Sequence, residues 1–494
     1  MRLDIFFATD PVPSSLMNPS SSSEDLSVTT RLPASTKAAW ASGGIIDNLM
    51  MNGMGALILP IYNIALGVNP IWIGYAMLLP RILDAILDPL IGNWSDNART
   101  RWGRRRPFIA VGAVASAIFC MLLWIPPLGW GEKNLLLYFT VVSALLGVSY
   151  ATFSIPWGAL GYELTTDFHD RTRVMAWRMY FAYAGGLALP WLYKLTLLPI
   201  FAPEESGGIP TEVFGVRWVA AIVVIVCLAA ALIPAIFCRE KEVHKTQSKT
   251  PIFESFKLTF QNGPFLLLSG VVVVVLTGLM LSGPFLLYLN IYYVTGGNKD
   301  FAGTLAGVSG MVGQVLGLAS TPVLISLATR FGKKNAMLLG QAMALAGYAL
   351  SWVCITPEVP YLQILPAFLI FPGLNAVWLL NQSVMADICD IDELKCGKRR
   401  EGMFGAAITL IFKISMAVVP VLVGYMLFWS GFRESASIQT DDVLWNMRTF
   451  YVLIPILSLA ISMILTALLP ISERQARETR RQLDERAKRL ESLS

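Results

Sequence analysis

The sequence predicts an all-α integral membrane protein of twelve transmembrane helices in two pseudo-symmetric six-helix bundles. Three observations predict it. The chain has 494 residues, of which 55% are hydrophobic and only 14% charged, whereas soluble domains carry about 25% charged residues. Apolar runs of about 20 residues give twelve candidate spans, beginning near Ala38, Ile71, Phe108, Leu135, Val174, Trp218, Pro264, Ala302, Ala336, Tyr361, Met403 and Trp445. Finally, Thr100-Arg101-Trp102-Gly103-Arg104-Arg105, after the second span, recurs as Thr329-Arg330-Phe331-Gly332-Lys333-Lys334, after the eighth. An aromatic-glycine-basic-basic turn at matching places in two six-span halves marks a duplicated bundle.

The net charge of +5 is not a nucleic-acid signal, because the basic residues follow topology. Arg99 to Arg106, Arg239 to Lys257, Arg330 to Lys334 and Lys395 to Arg400 all fall in even connections, while the odd connections are poor in them. The positive-inside rule then puts the even connections and both termini in the cytoplasm, in a multi-pass protein of the cell (inner) membrane. Residues 1–35 form a Ser-rich tail too polar to bury a core. The halves are 36–239 and 261–470, joined by a basic linker at 240–260. A charged helical tail, 471–494, follows. The six cysteines show no CxxC spacing and the two histidines, His169 and His244, lie in cytoplasmic connections. Neither a disulfide framework nor a metal site is suggested, and no nucleophile–base constellation points to an enzyme.

The first span carries Asp47, either a helix-terminal acid or a functional one; an intramembrane acid points to function. The second span carries Arg81, Asp84 and Asp88 at i, i+3 and i+7, which share one helix face. Each costs about 2.5–3.5 kcal/mol or more at membrane depth, so they face a bundle interior or a watery path. A structural ion pair between Arg81 and Asp84 leaves Asp88 unpaired; a cation site uses both acids. The fourth span ends in Tyr150-Ala151-Thr152-Phe153-Ser154-Ile155-Pro156-Trp157-Gly158, and the fifth contains Arg178, which is functional or snorkels to the interface. Glycines 303, 307, 310, 313 and 317 along the eighth span read as close packing, and Gln314 and Gln341 as either cavity-lining or backbone-bonded. The tenth span shows a polar and aromatic face with Asn375, Trp378, Asn381 and Gln382, before Asp387, Asp390, Glu393 and then Arg399 and Arg400. In the eleventh, Thr409 and Lys413 stand one turn apart, and the lysine requires a carboxylate partner among Asp47, Asp84 and Asp88.

Gly92…Asp96…Gly103-Arg104-Arg105 resembles the cytoplasmic signature of the major facilitator superfamily. The run Arg81-Ile82-Leu83-Asp84-Ala85-Ile86-Leu87-Asp88-Pro89-Leu90-Ile91-Gly92 resembles the second-helix motif of the melibiose permease-like family, the glycoside–pentoside–hexuronide:cation symporters. The stretch from Ala386 to Phe404 resembles the tenth-to-eleventh connection of that family. The resemblance implies the major facilitator fold, a coupling-cation site at Asp84 and Asp88, and substrate contacts from Arg178, Trp378 and Lys413; Asp47, an intramembrane acid, and Thr409, one turn from Lys413, are expected to face the substrate with them. It also implies cytoplasmic gating by Asp96, Arg104, Arg105, Asp390, Glu393, Arg399 and Arg400. Three positions depart from the family pattern: Ser154 replaces a sugar-binding aspartate, Ala151 a threonine associated with sodium, and Gly158 a pocket tryptophan, with Trp157 beside it.

The expected function is cation-coupled symport of a glycoside, oligosaccharide or uronide by alternating access, with Ser154 shaping specificity. No cofactor or structural metal is expected beyond the coupling cation, H⁺ rather than Na⁺. Without the threonine, a carboxylate pair suits a proton, which relieves the repulsion between two neighbouring anions. The partners expected are a small sugar and the lipid bilayer, with no nucleic acid and a monomer as the working unit. Two alternatives are a sodium-dependent lysophospholipid symporter of the same wider family, which needs a laterally open apolar cavity, and a non-transporting membrane sensor.

Overall fold

The computed structural model describes residues 32–165, 168–202, 209–238, 240, 259–396, 401–433, 436 and 438–470, with scattered positions of the tail between 475 and 486. Arg399, Arg400, Glu204, Glu205, most of the N-terminal tail and most of the 240–260 linker therefore lie outside the described residues.

The apolar runs fold as helices because a helix satisfies its own backbone, which a bilayer cannot do for it. In chain order these are α1 (Ala34–Ala65), α2 (Pro70–Asn97), α3 (Arg106–Leu123), α4 (Glu132–Glu163), α5 (Phe168–Gly186) and α6 (Thr211–Phe237). The second set is α7 (Gly263–Val294), α8 (Lys299–Phe331), α9 (Lys333–Cys354), α10 (Ala367–Cys396), α11 (Glu401–Ser430) and α12 (Asp441–Leu468). Among the described residues, eleven helices are long and apolar enough to cross a membrane. The exception is the span expected at Val174, α5. Its first turns hold Asp170, Arg171, Arg173 and Arg178, and it breaks after Gly186 into a 3₁₀ turn, Leu189–Trp191, and a short helix, Leu192–Thr196.

Packing repeats between the halves. Helix α3 packs on α4 and α6 as α9 packs on α10 and α12, and α2 on α4 as α8 on α10. The repeated turn also keeps its chemistry. Gly103 (φ +108°) and Gly332 (φ +83°) take the left-handed conformation that favours glycine. Arg104 pairs with Glu163 at the end of α4 (3.1 Å), and Lys333 pairs with Asp387 on α10 (2.7 Å). Arg106 caps the last carbonyls of α6, at Ala235 and Ile236, while Lys334 caps those of α12, at Ala467 and Leu469.

The end with these basic turns is the basic end. The halves touch mainly toward the other end, through α2 with α11 and through α8 with the 3₁₀ turn and short helix that follow α5. Glycine permits both contacts. A Cβ at Gly74 would stand 2.5 Å from the Pro420 carbonyl oxygen, and one at Gly424 2.5 Å from that of Pro70. The α8 glycines 303, 307 and 310 lie against Lys194, Trp191 and Pro190, and Gly313 against Phe371, so these four serve close packing as expected, whereas Gly317 borders open space. Toward the basic end the halves part: Gly158 on α4 and Gly405 on α11 border open space, and Leu90 and Trp94 on α2 are exposed.

Candidate functional site

The cleft between the halves carries two charged clusters. The first is built by α1, α4 and α5. An indole pair fixes α1 to α4: Trp40 and Trp157 stack with centroids 5.2 Å apart, and each indole N–H donates to the other's backbone carbonyl at 2.9 Å. Both rings are fully buried, and Phe153 also stacks on Trp157, with centroids 5.7 Å apart. Against this wall the Arg178 guanidinium lies 4.8 Å from the Trp157 ring and pairs with Asp47 at 2.8 Å. The Tyr150 hydroxyl donates to the other Asp47 oxygen. Asp47 opens a π-helical stretch, Asp47–Gly53, a form frequent at functional sites. Arg178 does not snorkel away; it is held as a partner of Asp47.

The second cluster is built by α2 and α11. The Lys413 ammonium bonds to the Asp88 carboxylate across the two halves. Arg81 stands 3.8 Å from Asp84, a loose pair. Asp84 faces α4 at Gly147, where a Cβ would meet its carboxylate at 3.3 Å. The two expected cation-site acids thus have different partners, and Asp88, which a local Arg81–Asp84 pair leaves alone, is matched by a lysine far away in sequence. Asp47, Asp84 and Asp88 balance Arg81, Arg178 and Lys413 in charge.

The other expected substrate contacts are less engaged. Trp378 is half exposed and meets Phe412 edge-on at 6.4 Å. The exposed Thr409 hydroxyl donates to the Gly405 carbonyl of its own helix. Ser154 is partly buried on α4. Asn375, by contrast, ties α10 to α8 through Gly317, Ser320 and Thr321, and Gln341 bonds Ser462 and Thr466 on α12, so both are structural.

At the basic end, Arg105 bonds Asp96 (3.0 Å through Nε) and pairs with Glu163 at 3.0 Å. Glu240, just beyond α6, accepts the backbone N–H groups of Arg104 and Arg105 at 2.8 Å and of Arg106 at 3.2 Å, at the N-terminus of α3. Among the described residues, these expected gating groups pair inside the first half. Asp390 and Glu393 lie in the last turns of α10. The opposite end is closed by bonds between the halves. Lys299 of α8 pairs with buried Glu212 of α6 at 2.5 Å, Lys194 pairs with Asp300, and the Tyr288 hydroxyl donates to Asn63 at 2.6 Å. The Tyr75 and Tyr425 hydroxyls lie 3.0 Å apart.

Sequence reasoning passes over Tyr150, Glu163 and Glu240 as site residues and marks Trp157 only as the neighbour of Gly158. The aromatics sit in apolar runs where packing and recognition look alike. Glu163 and Glu240 gain meaning only from arginines brought to them by the fold.

Two helical bundles around a charged, partly open central cleft are the architecture of a membrane transporter. Residues 39–473 match the family model described as MFS/sugar transport protein. The chain belongs to the major facilitator superfamily and, within it, to the glycoside–pentoside–hexuronide:cation symporters. It is 26% identical to a glucuronide carrier protein homolog of Escherichia coli (strain K12), over 93% of this chain and 97% of that protein. It is 25% identical to an isoprimeverose transporter of Lactiplantibacillus pentosus, over 88% of each. Among solved structures, a D-xylose–proton symporter superposes with a TM-score of 0.57 at 15% identity, over 87% of this chain and 96% of that one, a likeness of fold.

Proposed function

We propose that this transporter couples entry of a cation, a proton rather than sodium, to symport of a glycoside, oligosaccharide or uronide, and that it stands here open to the cytoplasm. The observation that carries the reading is the Lys413–Asp88 bond between α11 and α2, one of the contacts between the halves that lies at the level of the cleft. A lysine ammonium occupies the carboxylate that a coupling cation would need. Protonation of Asp88 removes its charge and frees Lys413, which then turns to Asp84 or to the substrate. Loading of the site and relative movement of the halves are thereby linked.

Asp84 and Asp88 hold the cation. Asp47, Arg178, Trp378, Thr409 and Lys413 face the substrate, with Ser154 setting specificity. An acid paired with an arginine beside an indole suits a sugar, whose hydroxyls donate to the carboxylate and accept from the guanidinium. Ala151 is buried without a hydroxyl to offer sodium, which favours the proton. The names of the relatives, a glucuronide carrier homolog and an isoprimeverose transporter, support a sugar. The basic end is taken as cytoplasmic on the positive-inside rule, so both termini lie inside.

The test is substrate-induced proton uptake in inside-out and right-side-out vesicles, with α- and β-glycosides, uronides and lysolipids, with and without sodium. A sugar that moves protons without sodium supports the reading. Strict sodium dependence overturns the choice of ion, and a response to lysolipid alone overturns the substrate class.

A further inference from the structure

Asp47 and Arg178 are the start of a longer polar stripe. On α1, Leu49, Met50, Gly53, Met54 and Leu57 are buried, while Asp47, Asn48 and Asn52 keep surface on the other face. A face with an acid and two amides is costly against lipid, so it lines the cleft. On α5, Ala182 and Gly186 follow Arg178 at i+4 and i+8 and share its face.

These positions are bonded to one another. Asn48 Nδ2 donates to the Ala182 carbonyl at 2.9 Å, and Asn52 Nδ2 donates to Asn48 Oδ1 at 3.0 Å. From the other half, Gln314 Nε2 of α8 donates to the Gly186 carbonyl at 2.9 Å, where α5 ends. A Cβ on Gly186 would lie 3.5 Å from Gln314 Oε1 and 3.9 Å from Asn48 Nδ2. Two amides from opposite halves therefore meet over a residue with no side chain. Among the described residues, no hydrogen bond reaches Asn52 Oδ1 or Gln314 Oε1, and each amide nitrogen has a second hydrogen to give.

We propose that Asn48, Asn52 and Gln314, over Gly186, form a second and uncharged substrate subsite that takes the hydroxyls of the second ring of a two-ring sugar. It rests on the sugar reading above and deepens it. Amides suit this role because a hydroxyl both donates and accepts, and an amide answers both without a charge to desolvate. The placement fits as well. Asn52 lies five residues beyond Asp47, about one turn on in the π-helical stretch, so it stands on the same side of the helix, next along the cleft from Asp47. Gln314 belongs to the other half, so the subsite is complete only while the outer end is closed. A second ring bound there favours that closed state.

The experiment uses the full chain in vesicles and compares one-ring probes (methyl glycosides and methyl glucuronides) with two-ring probes (lactose, melibiose, isoprimeverose and cellobiose). Gly186→Ala adds one methyl at ordinary contact distances and keeps every hydrogen bond, while Asn52→Ala removes an exposed amide. Each is expected to raise KM for the two-ring sugar about tenfold and to leave KM and kcat for one-ring probes within about twofold. Thermal unfolding of both variants stays close to that of the wild type. Unchanged two-ring KM in both variants, or an equal rise for both probe classes, overturns the subsite. Wild-type transport of one-ring sugars alone also overturns it while leaving sugar symport standing. Wild-type transport of no sugar overturns both.

Discussion

Lys413 on α11 bonds Asp88 on α2, joining the two halves of the protein by a charge pair at the level of the cleft. Both side chains keep some exposure, 38% and 25%, so water and ions reach the pair. Removing one member leaves the other charged and only partly solvated, which costs more than removing both. Asp88→Asn is expected to abolish uphill accumulation. The double variant Asp88→Asn with Lys413→Gln is expected to recover downhill exchange of substrate without accumulation. Counterflow and active uptake in the same vesicles measure the two. Accumulation by Asp88→Asn alone excludes the coupling role.

The outer end predicts a charge-swap experiment. Glu212 is 4% exposed and its partner Lys299 comes from the other half. Glu212→Gln removes an attraction present only in the closed state and shifts the balance toward the outward-open form by about 1 kcal/mol, about fivefold. A cysteine placed at Tyr75, labelled from outside by a membrane-impermeant thiol reagent, is expected to react faster in that background. Glu212→Lys and Lys299→Glu should each slow transport, and the two together should restore most of it. Failure of the pair to rescue shows that the contact does not gate.

Gly74 and Gly424 predict a steric counterpart. Each lies where a Cβ would press on the backbone of the facing helix, at Pro420 and Val421 for Gly74 and at Pro70 and Ile71 for Gly424. Backbone has little freedom to yield, so Gly424→Val is expected to hold α2 and α11 apart outside. Uptake should fall at least about tenfold, while substrate binding from the outside is retained. Equilibrium binding in right-side-out vesicles separates this from loss of fold, since an unfolded variant binds nothing.

Much of this was legible in the residues, for physical reasons that differ by element. Eleven spans among the described residues follow from apolar length alone, and the duplication follows from two glycine-basic turns whose arginines and lysines do the same work in each half. α5 is harder, because Asp170, Arg171, Arg173 and Arg178 dilute its apolar signal and Gly185-Gly186 breaks it. Lys413 demands a carboxylate from its composition, but the choice among Asp47, Asp84 and Asp88 is made by tertiary placement. Tyr150 and Trp157 carry no signal of their own. Their roles arise when α1 and α5 bring Asp47 and Arg178 against them.

The basic end supplies a pH-dependent prediction. Asp170, at the start of α5, accepts from the Lys37 ammonium at 2.6 Å and from the Leu32 backbone N–H at 2.7 Å, tying the entry of α1 to α5. These hydrogen bonds, that of Lys37 foremost, hold its carboxyl below the usual carboxylate value of 3.8. A group whose value is depressed by folding stabilises the folded state above its unfolded value, and that contribution disappears as pH falls through the folded one. The contribution is therefore complete at neutral pH and lost only in strong acid, below about pH 4. Asp170→Asn is expected to lower the melting temperature in detergent at pH 7, and its deficit against the wild type should shrink as the pH drops below that point. A deficit that stays constant down to pH 3 shows that the anchor works through shape and not through the carboxylate charge.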